Sequence, residues 1–154
     1  MSRFTPVLLL IGTTLAALPA AATEPEAPLP FTAEQKEAAY LAIGLTKAGQ
    51  EWLDVCGMSV MTEEHALDLG GDVGEVLEVI VGSSCYGGTG AETALIDFVE
   101  AKPHVIFQNV ALGVTVQETM TNGVKDIELG VPGFEYPVWA WNGKAYAFAR
   151  TRKE

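Results

Sequence analysis

Past Leu18 the chain has no apolar run approaching the twenty or so residues that a membrane-spanning helix needs, so nothing after that point reads as a span. Cysteine is scarce: Cys56 and Cys85 are the only two, and a zinc site would have to recruit the only two histidines, His65 and His104. Basic residues are also few, 9 against 20 acidic, and three of them (Arg150, Arg152, Lys153) stand in the last five positions. A body of net charge −11 repels phosphate backbones and excludes nucleic acid as a partner. That sign suits solubility, calcium or a cationic partner. Catalytic signatures are missing as well. Gly82-Ser83-Ser84-Cys85-Tyr86-Gly87-Gly88 sets serines beside a cysteine, yet it is not a G-x-S-x-G elbow and no strand-to-helix context follows it. No phosphate loop and no nucleophile beside a base occur, so an enzyme is the minor reading and no cofactor is expected apart from calcium.

What is present begins at the N-terminus. Arg3 precedes an apolar run from Val7 to Leu18, and Ala20-Ala21-Ala22 supplies an A-x-A cleavage site before Thr23-Glu24-Pro25-Glu26. Charge, length and cleavage chemistry are those of a secretory signal peptide over 1–22, which makes the protein periplasmic or secreted. No cysteine lies near the cleavage site, so no lipid anchor is expected. Residues 23–30, TEPEAPLP, read as a flexible leader. Residues 31–154 are long enough for a single core. Both cysteines fall in this exported part and are expected to pair, which in the chain-entropy model is worth about 3–4 kcal/mol.

One helix is predicted. Thr32 and Gln35 form a capping box, Glu34 and Glu37 favour the positive end of the dipole, and Ala38, Leu41, Ala42 and Leu45 make one apolar stripe ending at Gly49. Strands are predicted over 67–69, 76–81, 93–99, 105–110, 114–118, 124–129, 134–141 and 144–150. Turn chemistry separates them at Gly70-Gly71-Asp72, Gly87 to Gly90, Lys102-Pro103, Gly113, Asn122-Gly123, Val131-Pro132-Gly133 and Asn142-Gly143. Short strands without intervening helices give an α+β fold: one N-terminal helix on a mostly antiparallel meander or small sandwich, stapled by the disulfide. A two-residue turn at Asn142-Gly143 would pair Trp139 with Tyr146 and place Trp139, Trp141, Tyr146 and Phe148 on one face. The opposite face, Ala140, Ala145, Ala147 and Ala149, is shallow enough to receive the helix. The aromatic face reads as core before binding platform.

Asp68-Leu69-Gly70-Gly71-Asp72, followed by Glu78, has the first and fifth acidic positions of a calcium loop, but Gly70 stands at the third and Val73 at the sixth. Two readings remain: a weak calcium site on Asp68, Asp72 and Glu78, or a structural turn that has lost the ion. The runs DLGGDVGEVLEVIVGSSCYGGTG, TNGVKDIELGVPGF and PVWAWNGKAY resemble a group of small exported bacterial proteins with a D-L-N-G-D-G turn, a C-Y-G-x-x-G loop and a W-N-G-K-x-Y hairpin. The turn of that group is similar to those of VCBS and FG-GAP repeats. The resemblance covers Trp52 to Phe148 and implies an exported β domain without naming a substrate. The chain is too short for the four or so blades of a propeller.

Lys102-Pro103-His104 is similar to the K-P-H loop that periplasmic inhibitors insert into vertebrate-type lysozyme, although Ala101 and Val105 replace the flanking cysteines. The leading expectation is an exported domain that binds a protein or envelope ligand, and a cationic one suits the charge. Its candidate contacts are Tyr86, Gly87, Gly88, His104, Trp139, Trp141 and Tyr146. An inhibitor of a cationic hydrolase such as lysozyme is the alternative, and an unrecognised enzyme is the third. Expressed in a Gram-negative host, the protein is expected in the periplasm with an N-terminus near Thr23. N-terminal sequencing that finds Met1 on soluble cytoplasmic protein would contradict the export reading.

Overall fold

A computed structural model describes residues 29–130 and 135–153. The signal segment, most of the leader and the Val131-Pro132-Gly133 turn lie outside the described residues. Among the described residues no helix is long and apolar enough to cross a membrane.

The first described element is α1, Ala33–Ala42, and its capping box is complete. The Gln35 N–H donates to Thr32 Oγ1 (3.2 Å) and the Thr32 N–H to Gln35 Oε1 (2.9 Å). The helix stops well before Gly49. Gly44, at φ +95°, takes the left-handed position that ends it, with its N–H on the Leu41 carbonyl. The buried stripe is Ala39, Tyr40, Ile43 and Leu45, and the predicted member Leu41 is 55% exposed. Tyr40 decides the rotation. Its ring meets Trp52 edge-on at 5.1 Å, and its hydroxyl bonds Thr62 Oγ1 (2.9 Å) and Glu64 Oε1 (2.5 Å). Gly49 instead turns a small hairpin absent from the sequence expectation, β1 (Thr46–Ala48) paired with β2 (Glu51–Leu53).

Two four-stranded antiparallel meanders follow. The first runs β3 (Met61–Asp68), β4 (Glu75–Gly82), β5 (Ala91–Val99), β6 (Lys102–Asn109), and the second β7 (Thr115–Thr121), β8 (Val124–Glu128), β9 (Tyr136–Trp141), β10 (Tyr146–Arg152). The inner strands of the first sheet, β4 and β5, are buried on both faces. On one face Leu77, Val79, Val81, Ala94 and Ile96 pack under α1; on the other Val76, Leu95, Ile106 and Phe107 meet Val124, Ile127, Leu129 and Tyr146 of the second sheet. This explains the near-continuous apolar run of β4, where a sheet with one wet face would alternate. The antiparallel strands, the one short α-helix among the described residues and the Cys56–Cys85 bond agree with the expected fold class.

Strand ends depart from expectation in informative ways. β3 begins at Met61 and not at residue 67, because a Glu-Glu-His stretch is tolerated on a sheet edge. Lys102-Pro103 is not a turn but the start of β6, opposite Val99 and Phe98. The turn itself is Glu100-Ala101, both left-handed (φ +51° and +62°) without a glycine. The last hairpin pairs Trp141 with Tyr146, so its loop is four residues and not two. Asn142 shapes it with its side chain: Oδ1 accepts from the Lys144 and Ala145 N–H groups, both at 3.0 Å. Since the register moves by two, Trp139, Trp141, Tyr146 and Phe148 still share a face. The alanine face does not receive the helix, because α1 lies on the first sheet.

A bulge at Ala149 then reverses the pattern. Phe148 pairs with Trp139 but Arg150 pairs with Val138, so Arg150 and Arg152 leave the aromatic face and join Asp126 and Glu128. Arg152 meets the Glu128 carboxylate with two bonds, 2.7 and 2.8 Å, while Asp126 accepts from Thr119, Thr121 and Arg150. The Arg152 hydrogen bonds hold the Glu128 carboxyl below the usual carboxylate range.

The far ends of the two sheets lock through the turn that follows Asp68, as the structural reading of that segment expects. A Cβ on Gly71 would lie 2.3 Å from the Gly123 carbonyl oxygen, and the Lys125 N–H donates to the Leu69 carbonyl at 2.8 Å. Gly71→Ala is therefore expected to lower stability by at least ~1 kcal/mol, from the close approach and from a φ of +58°. Ala101→Gly is expected to raise it by about 1 kcal/mol by relieving a left-handed alanine. Denaturant midpoints of the two variants check both signs.

Candidate functional site

At the end of the sandwich opposite that lock, the loop 110–114 carries the chain from the first sheet to the second. Two inward side chains of the first sheet hold it. Thr93 Oγ1 donates to the Ala111 carbonyl (2.9 Å) and accepts from the Gly113 N–H (2.7 Å). Glu78 Oε1 accepts from the Val114 N–H at 2.8 Å. Glu78 is 4% exposed, and burial pushes its carboxyl above the ordinary value, partly opposed by the Val114 bond and by His65 directly across on β3.

The loop leaves a groove of about 190 Å³, lined by Met61, Glu63, Ile80, Gly82, Gly90, Ala91 and Leu112. Met61, at 80% exposure, and Leu112, at 67%, wall it with apolar surface. Glu63, exposed beside Ile80, is the one charged lining residue, and no described residue hydrogen-bonds or ion-pairs with it. Sequence reasoning missed this groove. Its walls come from β3, β4, β5 and the crossover, and no local motif joins them.

Beside the groove lies the disulfide corner. Cys56 and Cys85 are bonded, and Asp54, almost wholly buried, organises the loop around them. Its Oδ1 accepts from the Cys56 and Met58 N–H groups (2.8 and 2.9 Å), and its Oδ2 accepts from the Ser83 hydroxyl. The Ser83 bond leads in holding its carboxyl below the usual range. Asp54, Cys56 and Cys85 are the only described group of three ligating residues within 4.8 Å of one another, and two of them are spent on the disulfide. Sequence reasoning missed Asp54 as well; the Asp-x-x-Gly pattern from Asp54 to Gly57 is the signal that could have found it. Tyr86, Gly87 and Gly88 sit in the adjoining 3-10 turn Ser84–Thr89. Burial, with Glu92 close by, pushes the Tyr86 hydroxyl up to about 12.

The structure does not gather Asp68, Asp72 and Glu78. Asp68 and Asp72 are exposed in the 68–75 turn, and Glu78 lies up β4 with Val114 on its carboxylate. An ammonium already faces Asp68: Lys125 Nζ is 3.1 Å from its carbonyl and 3.6 Å from its carboxylate. His104 stands alone on β6 opposite Asp97. Of the aromatic candidates Tyr146 is core and donates to the Lys125 carbonyl at 2.6 Å, while Trp139 and Trp141 are half-buried against the core. Phe148, 57% exposed, is the accessible end of that cluster.

Compared with known protein families, curated proteins and solved structures, the chain matches none.

A buried carboxyl with a raised value favours its neutral form in the fold. Its contribution is fully present below the unfolded value and is lost as pH rises through the folded one. Glu78→Gln keeps the acceptor for Val114 and removes the charge. The variant is expected to melt higher than the parent at pH 7 and alike at pH 4; thermal scans at both values check this.

Proposed function

We propose that this protein is an exported binding domain, periplasmic or secreted, for a cationic protein partner. One observation carries the reading, the way its charges are used. Lys36, Lys47, Lys125, Arg150, Arg152 and Lys153 are each tied to a carboxylate of the same chain. Exposed Glu51, Glu63, Asp72, Glu75, Glu100 and Glu118 have no ion pair among the described residues. Much of the acidic excess therefore reaches solvent as unpaired carboxylate, with Lys102 and Lys144 as the described cations outside an ion pair. Such a surface steers cationic proteins and rejects anionic ones. The disulfide suits an oxidising compartment.

Binding is favoured over catalysis by the placement of the histidines. His65 and His104 lie on different strands, and neither hydrogen-bonds to a serine, threonine or cysteine among the described residues. The inhibitor reading now rests on charge alone, since Lys102-Pro103-His104 is strand and not a protruding loop.

The test is retention of envelope proteins of the host on immobilised mature protein at about 50 and 150 mM salt, where the screening length falls to about 8 Å. A basic protein held in stoichiometric amount, and binding more slowly as salt rises once purified, is expected. Retention of nothing at the lower salt, or of acidic proteins only, would overturn the reading.

A further inference from the structure

We propose that the groove between the β3–β5 face and the crossover loop receives a single lysine side chain of that cationic partner, an inference that rests on the binding role above. Size limits the occupant first. Ligand pockets for drug-sized molecules run from about 300 to 1,000 Å³, and this groove holds about 190 Å³. A volume that small suits one side chain and not a whole small-molecule ligand.

Chemistry then selects among side chains of that size. Met61, Ile80, Ala91 and Leu112 offer apolar walls along the groove, and Glu63 offers the one charge. Lysine matches this division, because its stem lies on apolar surface while its charged end stays at a polar rim. A fatty or phosphorylated ligand would set its anion against Glu63 and against the field of the whole body. A purely aliphatic side chain would fill the walls and desolvate the carboxylate without a partner. The planar, forked guanidinium of arginine is suited to two-point contact with a carboxylate held in a fixed orientation, whereas Glu63 stands exposed with no hydrogen bond to fix it.

The groove is also preformed. Its exposed wall, Leu112, belongs to the loop that Thr93 and Glu78 fasten on either side, through Ala111, Gly113 and Val114. A Cβ on Gly113 would come within 3.2 Å of Ile80 Cδ1, so the loop already sits in contact with the groove floor. Binding there would not need the loop to be ordered first.

The probe is a soluble twelve-residue peptide in which lysine alternates with serine. It is compared with the same peptide carrying 2,4-diaminobutyric acid, which keeps a protonated amine and loses two of the four methylenes. Calorimetry with mature protein at low salt is expected to show the lysine peptide binding at least tenfold tighter. Glu63→Gln and Leu112→Ser are each expected to erase most of that preference, while Glu34→Gln, on α1 across the first sheet from the groove, leaves it intact. Far-ultraviolet dichroism and melting curves confirm that the variants fold. Equal binding of both peptides, or an unchanged preference in the Glu63 and Leu112 variants, would show charge acting without the groove and overturn this proposal while the cationic-partner reading stands. No binding of either peptide, together with no basic partner retained from the envelope, would overturn both.

Discussion

The attachment of the crossover loop by Thr93 and Glu78 is the constraint on which the arrangement of the two sheets depends. Each meander satisfies its own ladder, but nothing within a ladder says how one sheet meets the other. Thr93 uses both its donor and its acceptor on the loop, and Glu78 adds a third bond. The cost is a buried carboxylate. A neutral amide would serve the Val114 N–H at lower desolvation cost, which marks Glu78 as a residue not chosen for stability alone.

Apolar burial nonetheless supplies most of the holding energy. Leu77, Leu95, Ile96 and Ile127 are completely buried, and each such side chain is worth about 1.5–3 kcal/mol. The exposed Lys47–Glu37 and Lys153–Glu135 pairs lie in the class worth about 0–1 kcal/mol. Ion pairing matters here for a different reason. By consuming the scarce cations internally it leaves the acidic surface uncompensated, and the bulge at Ala149 contributes by swinging Arg150 and Arg152 onto Asp126 and Glu128.

The departures from sequence expectation share a cause. Spacing predicts a helical stripe of Ala38, Leu41, Ala42 and Leu45, of which Leu45 is buried, but Tyr40 brings both an aromatic contact and two hydrogen bonds and so sets the rotation. Asn-Gly statistics predict a two-residue turn in the last hairpin, yet Asn142 bonds with its side chain and lengthens the loop. At Asn122-Gly123 the same dipeptide does take the left-handed pair, φ +53° and +81°. Glu100-Ala101 takes it with no sequence signal at all, held by strands β5 and β6 on either side. Of the candidate site, the disulfide and the Tyr86 turn were legible and the groove was not.

Sequence alone settled what short-range stereochemistry controls. The capping box at Thr32 and Gln35, the Asn122-Gly123 turn and the shared face of Trp139, Trp141, Tyr146 and Phe148 each depend on residues a few positions apart, or on a parity that survives a register shift of two. Cys56 and Cys85, the only two cysteines of the sequence, are expected to pair and are bonded. Tertiary structure decided which sheet the helix covers, which side Arg150 and Arg152 reach, and where a groove stays open. Those outcomes turn on the docking of surfaces from distant parts of the chain, where one bulge or one tyrosine shifts the balance and no local pattern records the choice.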